Sequence, residues 1–169
     1  MYMPAAAVAA GRAKARRFVM SKLIHPIAGV FATGLIAVFW LSTVLVETLG
    51  THAQIATVKL AIPWGFLLLV PALAATGGTG FIRSRGARGG LVGRKLRRMP
   101  IIAANGAIIL IPAALFFAWK ADAGEFDTVF FVVQAVELLA GAVNLTLLAL
   151  NMRDGLRMTR RLPMSARSR

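Results

Sequence analysis

The sequence predicts an all-α, polytopic membrane protein: four transmembrane helices arranged as two antiparallel hairpins in one bundle. Two observations predict it. The first is the apolar pattern. Leu23 to Val46, Leu60 to Ile82 and Pro100 to Trp119 carry no formal charge, and Thr128 to Leu150 carries one, Glu137. A bilayer core takes about 20 apolar helical residues to cross. Hydrocarbon offers the backbone no water, so each crossing segment closes its own hydrogen bonds as a helix.

The second observation is where the charge lies. Arg12, Lys14, Arg16, Arg17 and Lys22 precede the first stretch. Arg83, Arg85, Arg88, Arg94, Lys95, Arg97 and Arg98 lie between the second and third. Arg153, Arg157, Arg160, Arg161, Arg167 and Arg169 follow the fourth. Together they are 18 of the 20 Lys and Arg residues. Short loops rich in Lys and Arg stay cytoplasmic, so both termini and the middle loop are expected on that side. The turns near His52 and Asp122 then face outward, as an even number of spans requires.

Length and composition agree with this class. The chain has 169 residues, is 58% hydrophobic, and has a mean hydropathy of +0.73 and a net charge of +14. A soluble domain is nearer half apolar. Topology accounts for the basic residues, and no RNA-binding aromatic motif accompanies them, so no nucleic-acid partner is expected. The basic segments should instead attract the anionic headgroups of the lipid bilayer, at about 1 kcal/mol per residue near the surface. The chain contains no cysteine, which excludes disulfides, thiolate zinc, iron–sulfur ligation and covalent c-type haem attachment. No cleavable signal peptide is evident, and the first span is suited to act as a signal anchor. The Ala/Arg-rich composition points to a bacterial inner membrane.

Residues 1–22 read as a basic cytoplasmic tail, with a short helix expected at the headgroups from Ala5 to Lys22. Residues 23–150 form the transmembrane domain, with spans at 23–47, 55–82, 100–119 and 128–150. Residues 151–169 form a second basic tail. The turn Gly50 to Gln54 makes spans one and two antiparallel neighbours. Span two contains Pro63 and Pro71, each of which removes a backbone donor, and its glycine-dense end, Thr76 to Gly80, is expected to unwind. The Gly- and Arg-rich loop from Arg83 to Met99 is expected to drape over headgroups. Pro100 suits the first turn of span three, and Pro112 should kink it. Lys120 to Asp127 is a short acidic hairpin joining spans three and four. Gly29 with Thr33, Ala103 with Ala107, and Gly141 with Ala142 offer small surfaces for close helix approach in lipid.

Ionisable groups inside a span are costly and default to functional hypotheses. Glu47 and Lys59 lie in the outer parts of spans one and two, and Glu137 lies roughly 14 Å in from Thr128. Gln134 shares a helix face with Glu137, and Asn144 and Asn151 continue that stripe at seven-residue steps. The stripe must face the bundle. Lys59 is placed to reach Glu137 or Glu47. Such a network serves as interhelical glue, as a proton or ion relay, or as a contact for the polar part of a lipid or cofactor.

His25 opens span one and His52 lies in the outer turn. They are 27 residues apart, roughly 40 Å along a helix, so each side of the membrane receives one. The glycine-rich run from Gly86 to Lys95 lacks the spacing of a phosphate-binding loop, and no complete catalytic triad or zinc motif occurs.

Four spans, both termini inside, and the run Ile24-His25-Pro26 with Gly29 resemble the small bacterial membrane b-type cytochromes. That resemblance implies electron transfer, with His25 as cofactor-binding residue and metal ligand for haem b. It also implies cytoplasmic arginines near the propionates. Those families usually carry several histidines within their spans, whereas this chain has none deep in the membrane. The second ligand would then be His25 of another copy in a homo-oligomer, or a methionine such as Met99 or Met152. Two other functions fit the residues: a non-catalytic accessory or assembly subunit of a larger membrane complex, and a proton-coupled carrier using Glu137 and Lys59.

Overall fold

The computed structural model describes the backbone of residues 5–84 and 89–160, and the side chains of residues 20, 23–80 and 89–157. Five α-helices and one π-helical turn follow one another: α1 Ala5–Leu49, α2 His52–Ser84, α3 Gly90–Asn105, the π turn Gly106–Leu110, α4 Ile111–Asp122 and α5 Thr128–Arg160. The π turn joins α3 and α4 into one rod. Among the described residues four segments are long and apolar enough to cross a membrane: Leu23–Leu49, His52–Gly80, Gly90–Asp122 and Thr128–Arg157. The protein is a multi-pass four-helix membrane bundle.

The spans pack around a ring. α1 lies along α2 and also against α5, α2 packs on α4, and both halves of the third span pack on α5. Towards the end where α1 enters and α2 leaves the bilayer, Ala32, Ile36, Leu69 and Ala72 form a buried cluster, flanked by Leu35, Phe39, Phe66, Leu145 and Leu148. Towards the opposite end Ile55, Ala113, Phe117 and Phe130 form a second cluster. Small side chains let backbones approach where lipid gives no hydrophobic drive. Gly29 packs on Thr76, and Gly141 on Trp40. Ala103 and Ala107, expected at such an interface, are exposed. Leu41, Leu45, Leu67, Leu68, Leu139 and Val143 also stand exposed on the outside of the bundle. In water so continuous an apolar surface would be a liability; in lipid it is the solvated face.

Helices outrun the hydropathy limits in three places. α1 runs from Ala5 through Lys22 and Pro26 without a break, so the tail helix is not a separate element. α2 stays helical through Thr76 to Gly80 and on to Ser84 rather than unwinding. Threonine explains part of this, because Thr76 and Thr79 hydroxyls donate to the carbonyls of Ala72 and Ala75 within the same helix. α3 begins at Gly90, ten residues before Pro100, so the prediction that Pro100 opens the span is corrected. The draped loop shrinks accordingly, with residues 85–88 outside the described part. Gly90 has φ +59°, a left-handed conformation that suits glycine.

Pro112 does disturb its span, through a change of helix type. It stands in the first turn of α4, just after the π turn. There the Ile111 N–H bonds to the Gly106 carbonyl, five residues back. One wide turn relieves the clash a proline ring makes with the preceding turn.

The Lys120–Asp127 turn is closed by side chains. Gly124 adopts φ +69°. The Lys120 ammonium lies 2.6 Å from Glu125 and 2.9 Å from Asp127. Asp127 also caps α5 by accepting the Phe130 N–H at 2.9 Å. The hydrogen bond from Lys120, assisted by that N–H, holds the Asp127 carboxyl below the ordinary carboxylate range. His52 stacks on Phe126 at 4.6 Å, tying the two turns of this end together.

Candidate functional site

Lys59 is the centre of a charge cluster to which every span contributes. Four apolar turns of α2 leave it only the bundle interior to face, and it is 1% exposed. Its Nζ donates to Glu137 Oε2 of α5 at 3.2 Å and stands 3.8 Å from Glu47 Oε1 of α1. The same Nζ lies 4.0 Å from the centre of the Phe117 ring of α4, close enough for a cation–π attraction that low dielectric strengthens. Gln134, one turn before Glu137, donates its Nε2 to Glu137 Oε2 at 2.8 Å. Thr43, one turn before Glu47, is fully buried. His52 lies near enough to Glu47 to interact with it electrostatically. Sequence depth left Lys59 a choice of carboxylate; in the folded bundle it takes both.

The cluster's charges do not balance. One ammonium faces two carboxylates. Three buried oxygen atoms around it, Thr43 Oγ1, Glu47 Oε1 and Gln134 Oε1, have no hydrogen-bond partner among the described residues. A buried acceptor left unpaired costs free energy, and a net charge in low dielectric costs more. One ammonium between two carboxylates leaves the cluster with a formal excess of one negative charge.

His25 lies at the opposite end, between three spans. Its Nδ1 lies 3.0 Å from the Thr76 carbonyl oxygen and 3.1 Å from Thr79 Oγ1. The Thr79 hydroxyl donates to Ala75, so the imidazole Nδ1–H is the donor to both threonines. Nε2 is then the acceptor and faces Lys95 Nζ at 3.2 Å. His25 also fills the space over Gly80, where an added Cβ would meet its ring at 3.0 Å. Among the described residues no group of three or more His, Asp or Glu side chains is gathered to hold a metal ion. Of the two methionines considered beside His25, Met99 accepts from Asn151 Nδ2 through its sulfur at 3.5 Å, and Met152 is exposed.

Asn144 is buried, and its Oδ1 has no hydrogen-bond partner among the described residues. Two neighbouring side chains clamp α5 at that level by donating to its backbone. Trp40 Nε1 bonds the Leu138 carbonyl at 2.9 Å, and Asn105 Nδ2 bonds the Ala140 carbonyl at 2.8 Å.

A buried ion pair at the basic end escaped sequence reasoning. Arg98 Nη1 lies 2.8 Å from Asp154 Oδ2, and Asp154 is 1% exposed. Asp154 reads as a tail charge because Arg153 and Arg157 flank it and the apolar run has ended. The usable signal was its position three residues after Asn151, which continues the Gln134–Glu137–Asn144–Asn151 face. Trp40 and Phe117, ordinary apolar residues of their spans, were not distinguished either. No family model, no curated protein and no solved structure matches this chain, so its chemistry is read from its own side chains.

Proposed function

We propose that this membrane protein handles protons, and that the Glu47–Lys59–Glu137 cluster is the group that loads and releases them. One observation carries the reading: a fully buried ammonium is shared by two carboxylates from two other spans. Like charges held in one site do not both stay ionised without compensation. Ionisable groups inside a span are rare and costly, and proton relays are among the roles they serve. The positive-inside rule puts the basic end in the cytoplasm of a bacterial inner membrane, which leaves the cluster nearer the outer face. Arg94, Arg97, Arg153 and Arg157 are exposed at the basic end, where they attract anionic headgroups. A homo-oligomer or a larger membrane complex would use the lipid-facing surface.

Infrared difference spectroscopy of the purified protein across a pH titration tests this. A carboxylic acid C=O band should appear and vanish with pH, and Glu47→Gln combined with Glu137→Gln should remove it. A spectrum with no titrating carboxyl band would reduce the cluster to a fixed electrostatic lock.

A second reading, haem b on His25, is favoured by one observation. Metal-ligating histidines commonly donate their other ring N–H to a backbone carbonyl, and His25 Nδ1 does so to Thr76. When bound, haem would supply one-electron chemistry, and His25 Nε2 would hold it in place of the Lys95 contact. A Soret band that His25→Ala abolishes would support it. Colourless protein that stays unchanged on adding haemin would end it.

A further inference from the structure

Glu137, Asn144 and Asn151 share one face of α5, and Gln134 and Asp154 extend this line of buried polar residues at its two ends. Gln134, Glu137, Asn144, Asn151 and Asp154 follow each other at steps of three, seven, seven and three. All but Glu137 are at least 95% buried. Twenty residues of helix span about 30 Å, the thickness of the hydrocarbon core. Each end of the face is anchored by an ion pair with another span: Glu137 with Lys59, and Asp154 with Arg98. Asn151 sits beside the second pair, with Arg98 Nη1 at 3.5 Å from its Oδ1. Among the described residues Gln134 Oε1 and Asn144 Oδ1 are buried without a hydrogen-bond partner, and Asp154 Oδ1 has only a 3.7 Å ion-pair contact with Arg153. Helix glue would pair such amide oxygens across an interface; here they have no partner.

One side chain interrupts the line. Gly141 lies on the same face between Glu137 and Asn144, and Trp40 of α1 rests against it. A Cβ at position 141 would stand 2.5 Å from Trp40 Cδ1. The indole fits only because residue 141 is glycine, and the Nε1–Leu138 bond fixes it there. An indole has one donor and no acceptor, and this donor is already used, so it cannot pass a proton on.

Building on the proton-handling reading above, we propose that the polar face of α5 is a proton path from the Glu47–Lys59–Glu137 cluster to the Arg98–Asp154 pair, and that Trp40 seated on Gly141 is its gate. A proton enters at the turn end past His52 and binds a carboxylate oxygen of the cluster. When Trp40 swings off Gly141, water can bridge from the cluster to Asn144 and on to Asn151. Amide side chains do not themselves ionise; they orient the water that carries the proton. The proton leaves to solvent at the Arg98–Asp154 pair, where Arg94 and Arg153 also lie. One positive charge crosses per proton, so steady flow requires a compensating ion current.

Liposomes containing the full chain and an internal pH dye test this, with a potassium gradient and valinomycin supplying the compensating current. Wild type should acidify or alkalinise slowly. Trp40→Ala should raise the rate tenfold or more, and Trp40→Phe, which keeps the ring, should stay near wild type. Adding Asn144→Leu to Trp40→Ala should return the rate to that of wild type. Should Trp40→Ala not yield monodisperse helical protein, Trp40→Leu takes its place. Flux equal to empty liposomes in both Trp40 variants, or flux that Asn144→Leu leaves unchanged, overturns the path. If the titrating carboxyl band persists while flux is absent, the path alone fails. If band and flux are both absent, the proton-handling reading fails with it.

Discussion

At the turn end of the bundle Lys59 is shared by Glu47 and Glu137; at the basic end Asp154 is shared by Arg98 and Arg153. The two clusters are inverted in charge balance. The first has a surplus carboxylate, the second a surplus guanidinium. They differ equally in access. The shared ions, Lys59 and Asp154, are each 1% exposed; the flanking groups differ, with Glu47 8% and Glu137 14% exposed against Arg98 19% and Arg153 52%. A surplus guanidinium at the membrane surface is met by water and headgroups, so it asks nothing further of the protein. A surplus carboxylate inside the bundle has less of such an outlet and is costlier to keep charged. That difference in burial is why the proton-handling proposal rests on the turn-end cluster.

Breaking the inner cluster gives the largest expected effect. Glu137→Leu leaves Lys59 with only the longer contact to Glu47 and should cost roughly 3–5 kcal/mol. The double change Glu137→Leu with Lys59→Met should cost clearly less, because it strands no ammonium. Thermal unfolding in detergent measures both, and simple additivity of the two single changes would refute the coupling. Next comes the boundary between the two regions. Gly141→Ala drives a methyl into Trp40 and should cost about 1–3 kcal/mol by overpacking. Trp40 fluorescence should shift with it, and an unchanged melting temperature would show that the indole is loosely held.

Asp154→Asn should destabilise less than Glu137→Leu, because the released Arg98 can turn to water and headgroups. Equal losses in the same unfolding assay would contradict the contrast in access between the clusters. The smallest effect lies at the Lys120 turn. The Asp127 carboxyl is held below its ordinary range. Its contribution is therefore fully present above the unfolded carboxylate value and disappears as pH falls through the lower, folded value. Asp127→Asn keeps the helix cap but not the charge. It should flatten that part of the acid melting profile while leaving neutral-pH stability little changed, given how exposed the turn is. An acid profile superimposable on wild type would show that Asp127 does not contribute.

Legibility followed the kind of signal each feature leaves. Apolar runs, three of them uncharged and the fourth holding only Glu137, marked the four crossings, because lipid tolerates few exceptions. Helix ends were less legible, since backbone hydrogen bonding continues past the last apolar residue. α3 starts at Gly90 and α5 runs to Arg160 for that reason. Depth arithmetic put Lys59 nearer the outer surface than Glu137, and only the length of the lysine stem made their pairing an expectation; the seven-residue steps put Asn144 and Asn151 on the Glu137 face. Asp154 was hidden by the arginines around it, although its three-residue offset from Asn151 marked the same face.

By itself, then, the sequence determined the membrane class, the number of spans, their antiparallel order and the polar face of α5, all of which depend on one-dimensional spacing. Tertiary structure alone decided that Lys59 serves two carboxylates, that Phe117 lies beneath its ammonium, and that Arg98 reaches Asp154. It also decided that Trp40, one apolar residue among many in its span, is seated on Gly141 between Glu137 and Asn144. Those outcomes depend on the rotation of each helix about its axis. Packing between helices sets that rotation, and no periodicity within a single span records which neighbour it will meet.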